Sequence, residues 1–469
     1  MVGDTPLFLT EPQKAKLYKK EGSVPYSILE AGLCALIVIA PLPFGAVGPM
    51  GRLTLELLAL ALTALWAVTA LREDVALPPV GVRVALIGLL TIAAVQLIPL
   101  PDAIVSFLSP HAVALRKGLD PIPESTLSLA GAATASALRT GAALVGIVFV
   151  TTSVVAVRGA NRLALAALAS AAFQGLYGLL VLASGHEKIW NVQKTAYLDS
   201  ATGTFINRNH FAGFLAATLP LGVGLVIAAA RRARRRSPHR TGFIAALGPD
   251  GSKALLLALA ALIGAAGLLL SFSRAGTALG LVAIVGTAGI VLRGKPLHKW
   301  AAIALVVAVA AIPLFDLGAD RLFSRYARTG EDFHGVGGRP DVAKDTLRMI
   351  EAFPAAGVGF GAFTWAYPAF SSPQVRLHYT HAHDDLLQLA AEGGLLALAF
   401  LALALVALFR FGFRALRDAR DPVVTGAAFG LSALLVHGLV DFNFHIPANA
   451  AIAALLSGIL FGAPWNDRS

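Results

Sequence analysis

Cysteine is nearly absent: the 469 residues hold one, Cys34, inside the first long apolar run. That excludes a disulfide framework and any thiolate metal site. Charge is scarce as well, at 14% of residues against roughly 25% in soluble domains. Hydrophobic residues make up 57% and the mean hydropathy is +0.72. So little polar surface cannot cover a water-soluble globule, and the solvent of this chain must be largely lipid. No internal repeat is visible, and the two halves do not mirror each other as in many transporters. The first 25 residues are polar and lack a short apolar segment with a small-residue cleavage site, so no removable signal peptide is expected. The Lys-flanked first span then acts as its own targeting signal.

What is present is a series of apolar runs. A bilayer core about 30 Å thick needs roughly 20 apolar residues in a helix, and backbone groups in lipid must be satisfied within the segment. Twelve spans are expected, near 27–47, 53–71, 84–100, 138–157, 163–183, 210–230, 254–271, 276–292, 300–315, 386–408, 423–440 and 447–463. With both termini cytoplasmic, the inner segments hold 23 of the 38 Lys and Arg residues. Seven of the other 15 lie in one long outer loop, which the positive-inside rule does not count. The expected fold class is therefore an all-α polytopic membrane protein. It forms one transmembrane domain over 1–469, with a partly helical periplasmic loop subdomain at 316–385 between spans nine and ten. The net charge of +11 is mostly a topology signal and an attraction to anionic inner-leaflet lipid. The basic run Arg231–Arg236, broken only by Ala233, has no aromatic interleaving and no folded basic domain around it. Nucleic acid is not an expected partner.

Chemistry is concentrated on the outer side. Asn207, Arg208 and His210 precede span six, and Ser273 and Arg274 break spans seven and eight. The long loop carries a helix-like stretch at 341–353, the turn GVGFGAF at 357–363, and Trp365, Tyr367 and Phe370. His381, His383, Asp384 and Asp385 lead into span ten, while Asp441, Asn443 and His445 separate the last two spans. Ionisable groups at membrane depth cost several kcal/mol, so a functional cavity is their default reading. Arg274 is the sharpest case, since a simple hairpin needs no cation. Arg208 and Arg274 also admit a reading as snorkelling interface anchors, His381 one as an ordinary loop histidine, and Asp441 and His445 one as braces of helix ends. His381 and His383 with two Asp suggest a metal site, but positions i and i+2 at a helix start do not face the same way. No metal and no cofactor is expected. GVGFGAF opens no βαβ unit and reads as a turn, not a nucleotide site.

Five stretches in order resemble the O-antigen ligase family of bacterial envelope glycosyltransferases. They are TGTFINRNHFAGFLAATLPL at 202–221, SFSRAG at 271–276, GRPDVAKDTLRMIEAFPAAGVGFGAF at 338–363, HAHDDLLQLAAEGG at 381–394 and VDFNFHIPAN at 440–449. The resemblance implies an enzyme of the inner membrane that takes a glycan from undecaprenyl diphosphate and passes it to an acceptor on the periplasmic face. By family motif, Arg208 and Arg274 hold the diphosphate. Arg suits this role through its planar fork and permanent charge. His383 is by motif the base for the acceptor hydroxyl, with Asn207, Arg339, His381, Asp384 and Asp441 in support. The family has Asn where this chain has Asp384, which adds negative charge beside the imidazole. Direct displacement with inversion and no metal follows, with the lipid A-core as acceptor. A polysaccharide polymerase or a protein O-oligosaccharyltransferase is the alternative within the family. A transporter of lipid-linked sugar is the alternative outside it, although it would place ionisable groups near the midplane.

Overall fold

The computed structural model describes residues 24–117, 125–236, 249–293, 338–375 and 377–464. Among the described residues, seven helices are long and apolar enough to cross a membrane: α2 (Pro49–Ala70), α6 (Gly131–Arg158), α7 (Asn161–Ser184), α8 (Arg208–Arg236), α9 (Pro249–Leu270), α10 (Arg274–Val291) and α12 (Asp385–Asp418). Four shorter apolar helices accompany them: α1 (Val24–Ile39), α3 (Val80–Val95), α13 (Pro422–His437) and α14 (Pro447–Gly462). These helices occupy the positions of the expected spans except 300–315, which lies outside the described residues, as does the start of the long loop at 316–337. Further helices lie between them, among them α4 (Asp102–Leu108), α5 (Pro110–Arg116) and α11 (Arg339–Ala352). A two-residue hairpin, β1 (Lys188–Ile189) and β2 (Val192–Gln193), pairs antiparallel in the loop after α7.

The first expected span runs too far. The helix ends at Ile39, because Pro41 and Pro43 lack the amide donors a helix needs, and a 3-10 turn at Phe44–Ala46 follows. The stretch 101–137 between expected spans three and four contains, among its described residues, α4, α5 and the first turns of α6.

At the centre of the bundle stands α8, whose apolar window is 78% buried. It meets α13 backbone to backbone. A Cβ at Gly426 would lie 2.3 Å from the Pro220 carbonyl oxygen, and one at Gly430 would lie 2.2 Å from that of Ala217. Small residues four apart thus line one face, as expected where apolar burial against lipid supplies no net drive and close van der Waals packing must.

The two ends of the bundle differ chemically. At the end where α8 finishes, Arg231 donates to the Val291 carbonyl at 2.7 Å and Arg293 donates to that of Leu416 at 3.0 Å. At the end where α8 begins, the start of α12, the 438–446 loop and the start of α11 converge. A separate apolar core including Val342, Met349, Phe353, Phe363 and Tyr367 holds the segment after α11 together. Beside it, the Asp345 carboxylate accepts from Tyr367 Oη at 3.0 Å and from the Ser372 amide at 2.9 Å.

Candidate active site

The site is assembled around the first nine residues of α12. Asp384 caps the helix, its carboxylate accepting from the amides of Leu386 and Leu387 at 2.9 Å each. His383, just before the cap, sits in the left-handed region at φ 56°. A non-glycine residue persists there only where its surroundings over-determine it, commonly at functional sites. Asp385 docks the helix start onto the next segment. Its amide donates to the Gly438 carbonyl at 2.7 Å, and its carboxylate accepts from the Phe444 amide at 3.1 Å and meets His445 Nδ1 at 2.8 Å.

Nine residues in, the helix breaks at Gly394, where φ is 68° and ψ is −172°. Only glycine takes this conformation readily, and a Cβ there would meet the Ala355 carbonyl oxygen at 2.2 Å. The turn GVGFGAF fills the break. Leu395 N donates to the Pro354 carbonyl at 2.9 Å, while Val358 N and Gly359 N donate to the carbonyls of Ala391 and Glu392 at 2.9 and 3.0 Å. The turn is thereby wedged into a helix, and its glycines serve backbone contact. The Glu392 carboxylate, 3% exposed, accepts from Gly361 N at 2.8 Å, Gln388 Nε2 at 3.0 Å and Phe363 N at 3.3 Å. Buried Gln96 at the end of α3 completes the joint: its amide donates to the carbonyls of Ala356 and Glu392 and accepts from Phe360 N.

Asp441 is the hub of the site. Only 1% exposed, it accepts from Asn209 Nδ2 at 2.8 Å and faces His210 Nε2 at 3.5 Å, Arg339 Nη2 at 3.6 Å and His383 Nδ1 at 3.8 Å. Arg339 also donates to the Val440 carbonyl at 2.7 Å. Burial pushes the Asp441 carboxyl up, but the imidazoles of His210 and His383 and the Arg339 cation outweigh it. The carboxyl is held well below the usual range. Next to the hub, the Phe442 ring stacks on His381 at 4.3 Å and takes the edges of His210 and His383 at 4.5 and 4.8 Å.

Asp384 spends its carboxylate on the helix cap. The carboxylate that faces His383 Nδ1 is that of Asp441. His381 turns instead to the Gln388 amide through Nδ1, and burial with nearby His445 pulls its pKa down to about 3. The two histidines flank one phenylalanine in different environments.

The two expected diphosphate ligands begin neighbouring helices. Arg208 is the first residue of α8, half-buried, with the Tyr197 ring centroid 5.5 Å from its Cζ. Asn207 accepts from the Asn209 amide at 2.8 Å and so shapes the start of that helix. Arg274 is exposed at the start of α10, with Ser273 as its cap. Gly276 brings this helix against α8 and α13, where a Cβ would lie 2.5 Å from Ala212 Cβ and 3.2 Å from His437 Cε1. Arg208 and Arg274 therefore lie at the same end of adjoining helices, on the side where His383 sits. Sequence reasoning missed Gln96, and it missed that Asn449 ties the 438–446 loop down, donating to the His210 carbonyl and Asn443 Oδ1 at 2.9 Å each. A hydrogen-bonding side chain inside an otherwise apolar run, as at Gln96 and Asn449, is the signal that could have found both.

A family model described as O-Antigen ligase matches residues 259–402. The match takes in Arg274, Arg339, His381, His383 and Asp384, and leaves Arg208 and Asp441 outside it. No curated protein matches the chain.

Proposed function

From its place in the O-antigen ligase family, we propose that this membrane protein transfers a glycan from undecaprenyl diphosphate to a lipid A-core acceptor at the periplasmic face of the inner membrane. The observation that carries the reading is the meeting of His383 with buried Asp441 at the end of the bundle where Arg208 and Arg274 begin their helices. His383 takes the proton of the acceptor hydroxyl as that oxygen attacks the anomeric carbon. Histidine is the side chain most often used for such a proton transfer. Asp441 stabilises the imidazolium that forms. Bond formation from one face and departure of the diphosphate from the other invert the anomeric centre. Arg208 and Arg274 hold the charge that develops on the leaving diphosphate through forked, charge-assisted bonds. With two such cations in place, the transfer requires no metal.

The test is transfer from a purified lipid-linked donor to lipid A-core in vesicles, read on a gel with and without excess EDTA. A single shift that persists in EDTA is expected. A product ladder would assign a polymerase instead, and activity lost in EDTA and restored by Mg²⁺ would overturn the two-arginine account.

A further inference from the structure

The loop between α7 and α8 is built to a degree that its exposure does not require. Trp190, in its hairpin turn, donates its indole N–H to the Leu42 carbonyl at 3.0 Å, and its amide donates to Tyr177 Oη at 2.6 Å. Glu187 accepts from the Asp199 amide at 2.6 Å and pairs with Lys194. The Lys194 side chain, buried, donates onward to the Ser200 carbonyl at 3.0 Å, and Ser200 Oγ donates to the Tyr197 carbonyl at 2.6 Å. Four non-glycine residues of this loop, Glu187, Trp190, Tyr197 and Asp199, take positive φ angles between 45° and 57°. Such conformations cost free energy and gather at ligand clamps, where surrounding structure holds them. The end of this brace is the Tyr197 ring, 5.5 Å from Arg208 Cζ.

We propose that Tyr197 is a positioning residue for the donor diphosphate, its ring orienting the Arg208 guanidinium. The inference rests on the reading that Arg208 binds the diphosphate. A ring face attracts the flat side of a guanidinium through its quadrupole and consumes none of the five N–H donors. Those donors lie in the guanidinium plane, where phosphate oxygens approach. The aromatic contact therefore restricts the side chain without competing with the anion, and less rotamer freedom remains to be lost on binding.

The experiment measures donor KM and kcat in vesicles for Tyr197→Leu, Tyr197→Phe, Arg208→Ala and the double variant Tyr197→Leu/Arg208→Ala. Tyr197→Leu should raise donor KM about 2- to 5-fold, the range for an exposed cation–π contact, with little change in kcat. Tyr197→Phe, which keeps the ring, should restore most of it. In the Arg208→Ala background the Leu substitution should have no further effect on KM. Pentafluorophenylalanine at position 197 preserves shape while reversing the quadrupole, so a raised KM there supports the proposal even where the Leu variant fails to fold. A normal KM with the fluorinated ring, or a Leu effect undiminished without Arg208, overturns the role of Tyr197. A normal donor KM in Arg208→Ala would instead remove the diphosphate assignment beneath it.

Discussion

Replacing Glu392 by Gln tests whether the turn 357–363 holds the start of α12 in place. The carboxylate is buried and accepts three hydrogen bonds at 2.8, 3.0 and 3.3 Å, two from amides of the turn. Gln retains one oxygen and presents an NH₂ where the other stood. A buried donor left facing that NH₂ costs about 1–3 kcal/mol. The bonds that remain lose their charge assistance, roughly half their strength. Together these lower the free energy of local opening by about 2–4 kcal/mol. At 1.36 kcal/mol per factor of ten, amide exchange of the turn should accelerate roughly 30- to 900-fold. Hydrogen exchange of peptides covering 355–366 in nanodiscs reads this directly. Transfer should fall in parallel, by up to about 10²-fold, since small displacements at a reacting centre are costly. Protection within threefold of the wild type would refute the wedge.

His383→Ala should lose at least about 10²-fold in rate, the usual scale for a general base, with donor binding near normal. An inactive His381→Ala beside a working His383→Ala would show the base to be the other histidine. Arg208→Ala and Arg274→Ala should weaken donor binding and slow transfer together, and Arg274→Lys should rescue only in part because a point charge lacks the fork. Normal transfer in all of these would sink the site assignment and favour a transporter. Burial pulls the His445 pKa down, but the carboxylates of Asp385 and Glu392 outweigh it and raise it to about 10. A raised pKa contributes stability that is fully present below about 6.5 and lost as pH rises through 10. Thermal stability in detergent should therefore decline across that window in the wild type and decline less in His445→Gln; equal slopes would contradict the pairing of His445 with Asp385. Single cysteines in a Cys34→Ser background should react with an impermeant thiol reagent in whole cells at Val192 and Leu198 but not at Arg235. The reverse pattern would invert the topology.

The apolar helices among the described residues were legible because each rests on one physical quantity, apolar length, that a one-dimensional chain displays. The misjudged end of the first span shows the limit: residues 40–47 are apolar enough for lipid, yet Pro41 and Pro43 stop the helix at Ile39. The places of Arg208, Arg274 and His383 at helix ends were legible, because ionisable groups interrupt the apolar runs there; the roles given to them rest on the family motif. The capping role of Asp384 was not legible, because capping is a matter of backbone direction, while charge counting sees only its sign. The joint around Glu392 was hidden for another reason. Gln96 reaches residues 260 and 296 positions away, and no local pattern announces a partner that distant.

The break at Gly394 divides α12 mechanically. The nine residues before it are tied to Gly438, Phe444 and the glycine turn, all at the end of the bundle where α8 begins. The shaft after it exposes Leu395, Leu396, Leu403, Val406, Phe409 and Phe413 to the surrounding hydrocarbon. A membrane helix answers changes in bilayer thickness by tilting. If a tilt of the shaft is taken up at this one glycine, His383 keeps its place. The enzyme should accordingly hold its transfer rate across vesicles of short and long acyl chains. A rate that tracked chain length would mean that shaft and site move as one body.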